Sequence, residues 1–114
     1  MNNKRKGRRF ELETAREINR MYEDGTKAGP TFQSDASEQP DIDSKTLKAA
    51  KIHPECKNCK EYTPKAWLDQ ATRDCKDGEM PMVFHKLAND GRTVAVFFLS
   101  DLPKILPPNE GGPK

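Results

Sequence analysis

Three side chains set the chemistry open to this chain: Asp41, which follows Pro40, and Glu55 and Lys57, which stand two residues apart. On an extended strand alternate side chains share a face, so His53, Glu55 and Lys57 point one way while Ile52, Pro54 and Cys56 point the other. If the chain folds back about residue 48, Asp41 arrives beside Glu55 despite the fourteen positions between them. Two ionised carboxylates side by side repel and call for a cation; Mg2+ suits them because it prefers oxygen ligands and keeps several waters, with Mn2+ as a substitute. A metal-held water is a competent nucleophile, and Lys57 is placed to orient it or to stabilise charge developing on a phosphate. The competing reading is that both acids are ordinary surface charges, in a sequence where 18 of 114 residues are Asp or Glu and short patterns recur by chance.

The elements that must hold these residues follow from local pattern. Glu55 and Lys57 are expected on a strand over residues 51–57, paired through a tight return at 47–50 with a strand over 41–46, and Pro54 then needs an edge or a bulge. Before them, helix formers run over residues 4–24, with Glu11, Ala15, Ile18 and Tyr22 on one stripe, Phe10 and Met21 beside it, and Gly25 as a stop. A short strand over 31–34 and a polar loop over 35–39 lead into Pro40. After them, Thr63 as cap and Pro64 in the first turn open a helix that runs to about residue 76, before Asp77 and Gly78. Strands over 82–86 and 93–99 join through Asn89, Asp90 and Gly91; the second is apolar on both faces from Val94 on, which predicts an interior strand. This order gives an α/β fold with a central mixed β-sheet flanked by helices. One domain over 1–102 is expected, followed by a Pro- and Gly-rich tail over 103–114.

Charge is concentrated at the front. Five of the six residues from Lys4 to Arg9 are Lys or Arg, namely Lys4, Arg5, Lys6, Arg8 and Arg9, although the net charge is only +2. Such a cluster fits contact with a nucleic-acid backbone; its bland alternative is a solvated terminus. No apolar run approaches the roughly 18–20 residues of a membrane span and no signal-like segment follows the basic start, so a cytoplasmic protein is expected. Three cysteines give no paired framework and are expected reduced.

Other chemistries compete for the same region. His53, Cys56 and Cys59 are spaced by three, and with Cys75 they make a candidate zinc set, although His53 and Cys56 face opposite ways on a strand. Cys56 and Cys59 also form a CxxC pair, but such a redox pair normally opens a helix, and here the helix starts later. His85 reads as a structural or phosphate-facing residue, and Trp67 as a packing anchor. A nucleic-acid-binding protein without catalysis, in which the acids are incidental, is the remaining class.

Taken in order, the motifs resemble the archaeal and phage type of Holliday junction resolvase within the PD-(D/E)xK nuclease superfamily. Lys6-Gly7-Arg8-Arg9-Phe10-Glu11 is similar to that family's opening KGxxxE, Pro40-Asp41-Ile42 to its PDI, and Glu55-Cys56-Lys57 to its ExK. The resemblance implies a restriction-endonuclease-like core. It further implies Glu11, Asp41, Glu55 and the backbone carbonyl of Cys56 around a Mg2+ ion, Lys57 as the catalytic lysine, and Gln70 in support. Ser34 or Ser37 and Lys86 would approach DNA. A homodimer cutting two opposed strands of a four-way junction is implied as well. Other members of the superfamily, including phage VRR-type nucleases, cut different branched or linear DNA. The stretch Ile52-His53-Pro54 departs from the apolar strand that usually precedes ExK in the family.

Overall fold

Glycine is scarce and helix formers are dense from Asn3 on, and in the computed structural model the first element is α1, Asn3–Met21. The structure describes residues 3–22, 42 and 44–107. The strand expected over 31–34, the loop over 35–39, the stop at Gly25 and Asp41 itself lie outside the described residues.

Phe10, Ala15 and Ile18 are the buried stripe of α1. Tyr22, expected on that stripe, is exposed, as is Met21, because the helix runs past the core at its end. Ile42 forms an isolated bridge, and the next element corrects the expected hairpin: where the end of the 41–46 strand and the return at 47–50 were expected stands a short helix, α2, Lys45–Ala49. The Ser44 side chain accepts a hydrogen bond from the Leu47 amide (3.2 Å), a standard N-cap. The cap and the helix formers Lys-Thr-Leu-Lys-Ala outweigh a turn that had no Gly or Asn to make it. Lys51, at φ 61°, then takes the left-handed conformation that swings the chain out of α2 into β1, Ile52–Lys57.

β1 runs parallel to β2, Met80–Lys86, with Ile52 opposite Met80 and Glu55 opposite Val83. Parallel neighbours need a crossover, and α3, Pro64–Asp74, supplies it. Pro64 sits in its first turn as expected, and Thr63 stands at the N-cap, but the threonine side chain makes no capping hydrogen bond. β2 continues through the Asn89–Gly91 turn, where Asn89 and Gly91 both have positive φ, into antiparallel β3, Thr93–Val96. The described sheet is therefore three-stranded and mixed, in the order β1-β2-β3.

The interior strand is β2, buried over its first six residues, and not the 93–99 segment. β3 is shorter than expected and alternates exposed with half-buried residues. The chain leaves the ladder at Phe97 and enters a 3-10 turn, Leu99–Asp101, closed by the Asp101 amide on the Phe98 carbonyl (2.9 Å), which leaves Leu99 in solvent. One turn of helix, α4, Leu102–Ile105, opens the expected tail. Pro54 lies within β1, at the side of the described sheet, where its missing donor is tolerated.

The two faces of the sheet carry separate cores. Ile52, Met80, Met82 and Phe84 pack with α1 and α2 on one face; Val83 packs with Trp67 and Leu68 of α3 on the other. Glu55 and Lys57 belong to the second face. No helix among the described residues is long and apolar enough to cross a membrane.

Candidate metal-binding and catalytic site

Strand alternation fixes the site. Ile52 enters the α1 core and Cys56 packs against it, so by alternation His53, Glu55 and Lys57 share the α3 face. The Lys57 Nζ lies 3.7 Å from a Glu55 oxygen, and the carboxylate side chain is only 10% exposed. This pair is the expected ExK couple, brought together on one face.

The register of β1 against β2 is closed at this end by His85. Its Nδ1 donates to the Lys57 carbonyl (3.1 Å), and its ring lies 4.9 Å from Trp67 and 5.4 Å from Tyr62. Tyr62 meets Trp67 edge-on at 5.7 Å. His85 is thus a structural residue that holds the backbone beneath Lys57, and Trp67 is the packing anchor that the sequence suggested.

Two further side chains converge on the same face. A ring nitrogen of His53, a carboxylate oxygen of Glu55 and one of Asp74 lie within 4.8 Å of one another. Asp74 is the last residue of α3, at the negative end of the helix dipole, where a carboxylate is disfavoured unless a cation is near. Glu79 stands 3.8 Å from His53 Nδ1 and is held in place by the Lys76 amide, which donates to its Oε1 (2.8 Å). Neither Asp74 nor Glu79 was singled out in the sequence. The signal for Asp74 was present: Trp67, Leu68 and Ala71 form the inward stripe of α3, and Asp74 follows Ala71 by three and Trp67 by seven.

The remaining expected residues are placed as follows. Asp41 and Ser34 lie outside the described residues. Glu11 is half-buried on α1, which covers the opposite face of the sheet from Glu55. Gln70 is exposed on α3, one turn before Asp74. Lys86 faces α1, 3.8 Å from Glu13. Arg8 and Arg9 are exposed on the first turns of α1, the helix to which Lys4, Arg5 and Lys6 also belong.

The cysteine set does not assemble. Among the described residues the group able to hold a metal contains no cysteine, and Cys56 turns to the face opposite His53. Cys59 is exposed and its thiol contacts the Glu61 carbonyl at 3.4 Å. Burial, and then the charges of Glu79, Asp101 and Asp74, push the Cys75 thiol up to about 11, with Lys104 opposing, so this sulfur is a poor thiolate donor. The same shift marks a local excess of negative charge around the end of α3.

No protein-family model, curated protein or solved structure matches this chain.

Proposed function

We propose that this protein is a divalent-metal-dependent, structure-selective DNA endonuclease with a restriction-endonuclease-like core. Four-way junctions are the proposed substrate, and a homodimer the acting form. The observation that carries the reading is the buried Glu55 carboxylate with the Lys57 ammonium 3.7 Å away on the same strand face. The β1-α3-β2 crossover, which sets these two residues at the carboxyl end of a parallel strand, supports it.

A divalent cation fits the donor set. Glu55 is buried near a second carboxylate, Asp74, and a cation between two carboxylates relieves their repulsion. Asp41 and Glu55 would hold Mg2+ or Mn2+, with the Cys56 carbonyl as a further oxygen donor; Glu11, expected in this set, sits on the helix that covers the other face of the sheet. When bound, the ion supplies an activated water and neutralises charge on the scissile phosphate. The residues do the rest. Lys57, a quarter exposed, donates a hydrogen bond to the attacking water or to a non-bridging phosphate oxygen. Arg8 and Arg9 bind flanking phosphates from the exposed start of α1, which makes affinity fall steeply with salt. In a two-fold dimer, two such sites address opposed strands and leave 5'-phosphate and 3'-hydroxyl ends.

The test is cleavage of a labelled four-way junction beside linear duplex and single-stranded DNA, with Mg2+, Mn2+ or chelator, by wild type, Asp41→Asn and Glu55→Gln. Paired nicks confined to the junction, lost with chelator and in both variants while DNA is still bound, are the expected result. Cutting of the other substrates would keep the nuclease and discard the junction, as for a VRR-type enzyme. Binding without cleavage under every metal would leave a nucleic-acid-binding protein.

A further inference from the structure

We propose that His53, Glu55 and Asp74 form a binding site for a first-row transition-metal dication, distinct in its donors from an all-oxygen magnesium site. The three donors lie within 4.8 Å of one another. Donors on a common tetrahedral ion stand about 3.4 Å apart at bond lengths near 2.1 Å, so the widest separation has to close by up to about 1.4 Å when the ion binds.

A second, independent observation points to a ligand. His53 is 2% exposed, and its Nε2 is buried with no hydrogen-bond partner among the described residues. A buried polar atom left this way is costly, and native proteins almost always satisfy it. The other ring nitrogen, Nδ1, faces the Glu79 carboxylate at 3.8 Å. A carboxylate behind one nitrogen and a metal before the other is the recurring arrangement of metal-ligating histidines, in which the carboxylate orients the ring and raises its basicity.

Charge argues the same way. Glu55, Asp74 and Glu79 stand around His53, with Lys57 beside Glu55. Clustered carboxylates attract a dication, and the imidazole selects its class: nitrogen donors favour Mn2+ through Zn2+ over Mg2+, which prefers oxygen and keeps its waters. The site shares Glu55 with the proposed nuclease centre but does not depend on cleavage. Occupied beside Lys57, it would place a second positive charge next to the ExK pair and make the protein a transition-metal protein in its own right.

The test is titration of the full, chelator-treated protein with Mn2+, read by the loss of the free-ion electron paramagnetic resonance signal, and with Zn2+ by calorimetry. Wild type, His53→Gln, Asp74→Asn and the surface control Asp77→Asn are compared, with folding checked by circular dichroism. One ion per chain is expected in wild type and in the control, with affinity lowered about tenfold or more in His53→Gln and Asp74→Asn. Mg2+ binding should be insensitive to His53→Gln. Asp74 is only half-buried, so Asp74→Asn carries the test if His53→Gln fails to fold. Unchanged Mn2+ and Zn2+ affinity in Asp74→Asn would overturn the site, as would binding that Glu55→Gln abolishes but Asp74→Asn spares. Site-specific binding without any DNA cleavage would keep this inference and remove the nuclease.

Discussion

Replacing Lys57 by methionine removes the ammonium beside Glu55 while keeping the length of the side chain that crosses the β1 face. At 3.7 Å, with an effective dielectric of about 20, the pair is worth about 4.5 kcal/mol of Coulomb energy before screening. Lys57 is a quarter exposed and the separation is longer than a hydrogen bond, so water recovers much of this. A net loss of about 1–2 kcal/mol in unfolding free energy is expected, because Glu55 remains buried close to the Asp74 carboxylate and loses the ammonium. The assay is urea denaturation followed by tryptophan fluorescence, since Trp67 packs on the same face. A divalent cation should restore part of the loss by doing for the carboxylates what the ammonium did, so the gap between Lys57→Met and wild type should narrow in Mn2+. A variant as stable as wild type in chelator, with no response to the metal, would refute the idea that these acids are electrostatically frustrated.

Three other substitutions or treatments have definite outcomes. Trp67→Ala should cost about 3–5 kcal/mol in chemical denaturation, because the indole is buried against Leu68, Val83 and His85. Ser44→Ala should cost about 1 kcal/mol by the same measurement, since it leaves the Leu47 amide without its cap. Cys75, whose thiol is pushed up to about 11 by burial and then by neighbouring acids, should be about one part in a thousand thiolate at pH 8. Iodoacetamide alkylation followed by mass spectrometry should therefore label exposed Cys59 well before Cys75; equal rates would contradict the assigned environment.

Period-two alternation alone was enough to put His53, Glu55 and Lys57 on one face and Cys56 on the other, because side-chain direction on a strand is a property of the backbone. The helix at Pro64 and the turn at Asn89–Gly91 were legible for the same kind of reason: a proline that fits the first helical turn, and residues that tolerate positive φ. The hairpin expected before β1 fails for a local reason: the segment is poor in β-branched residues, and Ser44 followed by helix formers favours α2. The fate of Val94–Leu99 was not local. Apolar residues on both faces suit a buried strand, but which strand becomes interior depends on pairing order, and β2 took that place between β1 and β3.

The same division holds for the candidate site. The sequence by itself determined that an acid and a lysine two residues apart would share one strand face, and that a basic segment would begin the first helix, since both are matters of near-neighbour geometry. Only the tertiary structure brought Asp74 and Glu79, nineteen and twenty-four residues beyond Glu55, to His53. That meeting depends on the parallel register of β1 with β2 and on where α3 ends as it crosses between them, long-range packing outcomes that no short-range spacing rule encodes.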